Sequence, residues 1–372
     1  MRVVSVEMRD FRTYARAEAQ IGEGLTVVHG PNGAGKSNLL EALYFGCTGR
    51  SPRTRNDREL IRFGGPAARV SVKIHDGSEM HELAVGYAPA AGGAQAIKRM
   101  SCDGADVERM VDVESRPLVS VFIPDRLELL KGPPALRRAH LDQVVAAIWP
   151  ARVQTRREYS RVLAQRNALI ASIRAGRASR ASLSTWDREL AAKALRLRAD
   201  RAETVALLST PFAQRATQLG CAGEPTLEYR PRSHADSEQE FVAELQARLA
   251  GDLERGFSGH GPHRDELAIV RDGRELRVYG SQGEQRLALL SLLLSERTVL
   301  AEQRGRTPLM LLDDVMSELD GDRRELLAQD LSAGGQSVIA TTDLAHVPGG
   351  SAAGVTRLRI SPGAVLQEAL AA

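Results

Sequence analysis

The segment Gly30-Pro31-Asn32-Gly33-Ala34-Gly35-Lys36-Ser37 constrains the fold more than any other part of this chain. It follows a short apolar run, Leu25-Thr26-Val27-Val28-His29, of the kind that forms a buried central strand. It precedes a stretch with Leu39, Leu40, Leu43 and Tyr44 on one helical face. A strand, a glycine loop and a helix in that order build a phosphate cradle. Bulky side chains would obstruct the wrap, backbone N–H groups point inward, and the helix presents its positive end. Lys36 is expected against the β- and γ-phosphates and Ser37 on Mg²⁺, with Gly30, Asn32, Gly33, Ala34, Gly35 and Asn38 around the nucleotide. A chance glycine-rich turn does not explain the full pattern with its flanking strand and helix.

A second apolar strand, Leu309-Met310-Leu311-Leu312, delivers Asp313-Asp314. Asp313 is expected on the metal side of the site, and Asp314 beside it as the general base that orients the attacking water. A strand ending in solvated acids is common by itself; the phosphate loop upstream gives this one its meaning.

Between the two lies Ser281-Gln282-Gly283-Glu284-Gln285, which opens a helix with leucines 287, 290 and 294 on its buried side. Serine and glycine at a helix start form a further anion site. In isolation this is an ordinary capped core helix. Placed just ahead of the Asp313 strand it reads differently. One domain needs a single γ-phosphate cradle, so the second helix end is expected to meet ATP bound to another copy of the chain.

With 372 residues, 43% of them hydrophobic, the chain can bury a large core, and two domains are expected. Cys47, Cys102 and Cys221 have no metal or redox spacing, which points to a reducing interior. Met1 to Arg9 mixes charge with valine, unlike a secretory leader, and Leu287–Leu294 is too short to span a bilayer. A soluble cytoplasmic protein without membrane contact is the expectation. Strand-like segments occupy 2–6 and 66–100, the latter with a turn at Ala91-Gly92-Gly93. Composition shifts near Leu118; from Arg152 to Arg201 the chain is helical, with a hairpin turn over Arg174–Ser184. A second helical region extends to Arg255, then strands return at Glu266–Val270 and Ser337–Ala340. The expected fold is α/β: a phosphate-loop ATPase head from 1–119 and 250–372, with a helical arm, 120–249, inserted between them.

At these motifs the chain resembles the ATP-cassette ATPases of the SMC and Rad50 class, and within it the RecF recombination-mediator family. Asp10-Phe11-Arg12, Gly49-Arg50-Ser51, Lys131-Gly132 with Arg137-Arg138 and Leu141-Asp142, Gly261-Pro262-His263-Arg264-Asp265 and Tyr279-Gly280-Ser281-Gln282-Gly283 carry the resemblance. It covers about 1–65, 118–142 and 257–345. It implies that Ser281 and Gly283 touch ATP across a dimer, and that Ser317-Glu318-Leu319-Asp320 crosses the dimer interface. It places Arg12 near the nucleotide phosphates and Pro124-Asp125 at the lobe junction. Cassette ATPases usually carry Glu where Asp314 stands, so slow hydrolysis is expected. Transporter cassettes have a switch histidine where this chain has Thr341-Thr342-Asp343; His346 is displaced from that position. The Gly261–Asp265 segment is a family marker without an evident chemistry, His263 being structural or capping. The resemblance further implies gapped-DNA recognition, partnership with RecO and RecR, and recombinase loading during repair.

Net charge is only +3, so any nucleic-acid argument must rest on clusters. Between 152 and 201 there are thirteen basic residues against four acids. Arg152, Arg156, Arg157 and Arg161 in that arm, and Arg50, Arg53 and Arg55 after the nucleotide helix, with Arg58 and Arg62, are expected on DNA phosphates. Aromatic content is only 4%, without interleaving among the arginines, so duplex backbone is favoured over stacking on single strands. The rival readings are an ATPase subunit of a membrane transporter and a nucleotide-gated protein scaffold.

Overall fold

The computed structural model describes residues 1–90, 95–123, 127–332 and 334–368. The expected turn at Ala91-Gly92-Gly93 and the junction residues Pro124-Asp125 lie outside them. The chain forms two compact units, Met1–Arg126 with Leu300–Ala372, and Leu127–Val299.

In chain order the first unit begins with β1 (Arg2–Phe11), β2 (Tyr14–Gln20), β3 (Leu25–His29) and α1 (Lys36–Thr48). It continues through β4 (Ala68–His75), β5 (Met80–Ala88), β6 (Ile97–Cys102), β7 (Ala105–Asp106) and β8 (Val119–Phe122). The second unit contains α2 (Glu128–Lys131), α3 (Pro134–Ile148), α4 (Val153–Arg174), α5 (Leu183–Gln218), β9 (Pro225–Arg230), α6 (Glu238–Ala247) and α7 (Leu249–Arg255). It then runs through β10 (Glu266–Arg271), β11 (Arg274–Glu275), α8 (Leu276–Tyr279) and α9 (Gln282–Arg304), whose last turns belong to the first unit. β12 (Leu309–Asp313), α10 (Gly321–Ser332), β13 (Ser337–Thr341), β14 (Thr356–Ser361) and β15 (Ala364–Gln367) complete the first unit.

The first unit holds two six-stranded sheets. One is antiparallel, in the order β2-β1-β4-β5-β6-β7. In β4 buried positions alternate with accessible ones, the period-two pattern of a strand with one face on the core. The other sheet is ordered β15-β14-β3-β13-β12-β8, parallel except for β15 at its edge. Its central strands β12 and β13 are buried at every position, as their unbroken apolar runs require. Helix α1 packs against strands of both sheets, which explains why Leu39, Leu40, Glu41, Ala42, Leu43 and Phe45 are all buried.

In the second unit α4 and α5 form a helical hairpin joined by residues 175–182, inside the turn expected from sequence. Tyr159, Val162, Leu190, Ala194, Leu197 and Phe241 fill its core. The division of the chain departs from the expected borders, by a few residues after 119 and widely after 249. Residues 250–299, expected with the head, group with the inserted unit. The cause is long-range pairing. β10 pairs antiparallel with β9, from Glu266↔Arg230 to Arg271↔Pro225, and Asp252 and Asp265 are ion-paired to arginines of α4 and α5.

Candidate nucleotide-binding site

Strand β3 ends at His29, and the loop that follows carries positive φ at Gly30, Gly33 and Gly35. Gly35 caps α1 in the left-handed region, at φ 116. A Cβ there would sit 2.9 Å from both Thr13 Oγ1 and the Tyr14 hydroxyl. Tyr14 in turn donates to Gly35 O at 2.9 Å, so β2 holds the loop from behind. At Gly33, by contrast, a Cβ would meet nothing within 4 Å; that side of the loop is open to a ligand.

Lys36 folds back over the loop, its Nζ donating to Gly30 O at 2.8 Å and to Pro31 O at 3.0 Å. Burial pulls its pKa below the usual lysine range, opposed by the charges of Asp313 and Asp314. The next residue, Ser37, donates its hydroxyl to the Asp313 carboxylate. Burial pushes the Asp313 carboxyl up, with the neighbouring Asp314 charge adding to the rise and the Ser37 hydrogen bond opposing it. Strand order brings these groups together: β13 lies between β3 and β12, and all three are parallel, so their C-terminal ends share one edge.

Asp314 follows β12 in the left-handed region at φ 52, a conformation rare for a residue with a side chain. Its N–H donates to Ala340 O at 3.0 Å, and Ser317 Oγ donates to its carbonyl at 2.9 Å. Its Oδ1 is buried with no hydrogen-bond partner. A buried acceptor left unmatched is costly, by about 1–3 kcal/mol, and marks a place where a ligand or water completes the site. An ammonium, a hydroxyl and two carboxylates at one open loop fit a nucleotide triphosphate with a hard divalent cation such as Mg²⁺. Ser37 and Asp313 are the residues that would hold that cation.

Arg12, expected at the phosphates, has a more specific placement. Its Nε and Nη2 each donate to Glu41 at 2.8 Å, and Nη1 donates to Glu59 O at 2.8 Å. Glu41 is fully buried on α1, one turn beyond Ser37, and also accepts from Ser51 Oγ at 2.6 Å and Arg53 Nη1 at 3.2 Å. Asn38 joins the same network through Thr13 Oγ1 at 3.0 Å and Arg53 at 3.1 Å. Three of the five donors of Arg12 are thus committed to tying helix α1 to the segment at Glu59. Glu41, Thr13 and Tyr14 were not singled out from sequence. A glutamate on the otherwise apolar face of α1 was the available signal.

Ser281 and Gly283, in the second unit, are exposed at the start of α9. Glu284 N donates to Ser281 Oγ at 3.3 Å while Ser281 N donates to Glu284 Oε2 at 2.8 Å, a reciprocal capping box. Gln285 Nε2 gathers the carbonyls of Leu276, Arg277 and Gly280 at 2.9 to 3.3 Å, folding α8 onto α9. Arg271 pairs with Glu284. The loop is therefore fixed while Ser281 and Gly283 remain exposed. Ser317 and Asp320 are also exposed; Asp320 accepts from Arg323 N at 3.0 Å at the start of α10. In the Thr341–Asp343 segment, Thr341 Oγ1 donates to Asp343 O at 3.0 Å and Asp343 Oδ1 accepts from Ala345 N at 2.9 Å.

The arginines expected on DNA divide into two groups. Arg50, Arg55, Arg157 and Arg161 are exposed. Arg53 is committed to Glu41 and Asn38, Arg152 to Asp200 and Glu203 while stacked 3.8 Å above the Trp149 ring, and Arg156 to Asp142. Arg166 and Arg201, counted in the basic arm, are buried structural groups. Arg166 binds Asp187 at 2.7 Å, Asp252 at 2.9 Å and Ser258 Oγ at 2.7 Å. Arg201 binds both Asp142 oxygens at 2.8 and 3.1 Å, Pro262 O at 2.7 Å and Asp265 at 3.2 Å.

That last contact gives the Gly261–Asp265 segment its chemistry. Asp265 also accepts from the Tyr229 hydroxyl and from Arg232 N at 2.8 Å, and Arg138 donates to its carbonyl at 2.9 Å. Arg137 pairs with Glu266 at 2.6 Å and reaches the carbonyls of Leu130 and Gly132 at 3.0 and 2.8 Å. His263 lies between Ser258 O at 2.8 Å and the Tyr159 hydroxyl at 2.7 Å. Since a carbonyl only accepts, Nε2 carries the proton and Nδ1 accepts from Tyr159. The Lys131–Asp142 and Gly261–Asp265 motifs are two halves of one buried polar network.

A parallel sheet with the phosphate and acid strands separated by one other, a capped serine loop before the acid strand, and a helical insertion define a phosphate-loop head of the SMC type. The family model "RecF/RecN/SMC N terminal domain" matches residues 2–347. A solved Smc head domain from Pyrococcus furiosus shares the fold, with TM-score 0.60 over 99% of this chain and 96% of that one at 16% identity. Within this class the chain belongs to the RecF family. The "DNA replication and repair protein RecF" of Anaeromyxobacter sp. is 38% identical over 354 residues, covering 92% of this chain and 93% of its relative. That of Roseiflexus castenholzii is 36% identical over 367 residues, covering 92% and 93%. A solved structure of "the recombination mediator protein RecF-ATP in RecFOR pathway" superposes with TM-score 0.84 at 26% identity, over 99% of this chain and 98% of that one. No helix among the described residues is long and apolar enough to cross a membrane.

Proposed function

We propose that this chain is an ATP-dependent DNA-binding protein of recombinational repair, whose two copies close on two ATP molecules and clamp DNA between their helical arms. The observation that carries the reading is the convergence of Lys36, Ser37, Asp313 and Asp314 at one open loop, with the Asp314 Oδ1 buried and unmatched. Relatives named for DNA replication and repair, and a neighbour solved with ATP, support it. Lys36 exchanges its two carbonyl contacts for the β- and γ-phosphate oxygens. Ser37 and Asp313 would hold Mg²⁺, which when bound offsets the phosphate charge. Asp314 orients a water for attack on the γ-phosphorus and accepts its proton as the bond to the β-phosphate oxygen breaks. Ser281 and Gly283, exposed on a preformed helix start, reach the γ-phosphate held by the other copy. Ser317 and Asp320 lie at the interface so formed. Because ATP binds most tightly where both copies contribute, ATP and dimer closure stabilise each other.

The exposed Arg50, Arg55, Arg157 and Arg161 take duplex phosphates, with gapped DNA as the target and RecR and RecO as partners in recombinase loading. Lys36→Ala tests the reading. Loss of two charged hydrogen bonds is expected to weaken ATP binding about 100-fold or more. ATP-dependent binding to duplex DNA should disappear with it, while wild-type binding falls steeply with salt. Normal ATP affinity in the variant, or wild-type DNA binding indifferent to ATP, would remove the assignment.

A further inference from the structure

Phe63 is 99% exposed, the most exposed large apolar side chain described in the molecule. Its position is built rather than loose. Ile61 bridges to Phe11 of β1, Arg62 N donates to Asp10 O at 2.7 Å, and Arg62 Nε pairs with Asp10 Oδ1 at 2.7 Å. Gly65 N donates to Arg62 O at 2.8 Å, closing a four-residue turn with Phe63 and Gly64 at its tip. Gly64 takes φ 79, which that turn requires. The ring is thus held out from the sheet on a short, doubly tied turn.

The chain segment that carries it is cationic. Arg50, Arg55 and Arg58 of the same segment are exposed. Two nearby acids are neutralised internally, Asp57 by Lys98 at 2.6 Å and Asp10 by Arg62, so Glu59 is the exposed acid that remains. A protein surface that covered this segment would have to desolvate its exposed arginines, whereas nucleic acid offers a π-face and phosphates together. We propose that Phe63 stacks on an unpaired or terminal nucleobase of bound DNA while Arg50, Arg55 and Arg58 hold the adjoining phosphates. This rests on the DNA-binding reading above and deepens it. The composition of the chain argued against base stacking, but one ring on a rigid turn suffices for a single base. Duplex-phosphate contacts position the protein; the ring distinguishes a break in the stack from continuous duplex.

The test compares a continuous duplex with the same duplex carrying a short gap and 2-aminopurine at the gap's edge, with ATP present. Phe63→Ala is expected to weaken binding to the gapped DNA on the order of 5- to 150-fold, the range for losing one stacked base. It should leave affinity for the continuous duplex, its salt dependence and the melting temperature unchanged, since the ring packs on nothing. The 2-aminopurine signal change of the wild type should be lost in Phe63→Ala and return in Phe63→Trp. Equal affinity of Phe63→Ala for both DNAs relative to wild type overturns the proposal, as does equal weakening on both. Loss of self-association with DNA binding intact overturns it in favour of a protein occupant. If the wild type itself binds no duplex, the underlying DNA reading fails, which the continuous-duplex arm shows separately.

Discussion

Arg201→Met removes the centre of the buried polar network while keeping most of the side chain's apolar stem. The arginine makes four hydrogen bonds, to both Asp142 oxygens, Asp265 and Pro262 O. Side-chain exposures of 5% for Asp142 and 1% for Asp265 leave these carboxylates poorly reached by water. Breaking a buried pair by deleting one partner costs about 3–5 kcal/mol. Here the low end applies, about 3 kcal/mol, because Asp142 keeps Arg156 at 3.0 Å and Asp265 keeps Arg232 N at 2.8 Å. For a unit of this size that corresponds to a melting shift of about 6–12 °C. Both tryptophans of the chain, Trp149 and Trp186, lie in this unit, so tryptophan fluorescence of the whole protein follows its unfolding. Arg177→Met, at an exposed position, serves as the comparison and should stay within about 0.5 kcal/mol. If Arg201→Met melts with Arg177→Met, Arg201 is a surface charge and the network does not join these segments.

Asp314→Asn keeps the size of the side chain but cannot accept a proton; ATP binding should persist while turnover falls about 100- to 10,000-fold. Unchanged turnover in a steady-state phosphate-release assay would place the base elsewhere. Burial pulls the His263 pKa down to about 4, against about 6.5 in the unfolded chain. The unfolded state therefore binds the extra proton between those values, and stability should fall as pH drops from 6.5 to 4, by about 2–3 kcal/mol. Denaturation across that window checks this; His263→Gln should flatten the dependence, and an unaltered slope would remove His263 as its source.

What could be read from sequence was local. The phosphate loop, its strand and helix lie within about twenty residues, and Leu309–Asp313 is a single apolar run; steric and hydrogen-bonding demands act there between chain neighbours. The misread border shows the opposite case. β9 and β10 pair residues about forty positions apart, which no periodicity announces, so 250–299 was expected with the head. The arginines of the arm show a third case. Counted as charge, Arg166 and Arg201 look like their solvent-facing neighbours. Placed on the helix, they continue the apolar rows Tyr159–Val162–Ile170 and Ala194–Leu197–Leu208, which was the signal that they are buried. Glu41 interrupts the apolar face of α1 in the same way. Phe63 was invisible for another reason: an aromatic residue between arginine and two glycines does not say whether it turns inward.

The central claim is that one molecule's triphosphate is completed by Ser281 of another. Light scattering of the purified chain with and without ATP, for wild type and Ser281→Arg, tests it most directly. The wild type should double in mass with ATP, while Ser281→Arg still binds ATP but stays single. A wild type that remains a monomer when saturated with ATP, or a Ser281→Arg chain that pairs normally, contradicts the account.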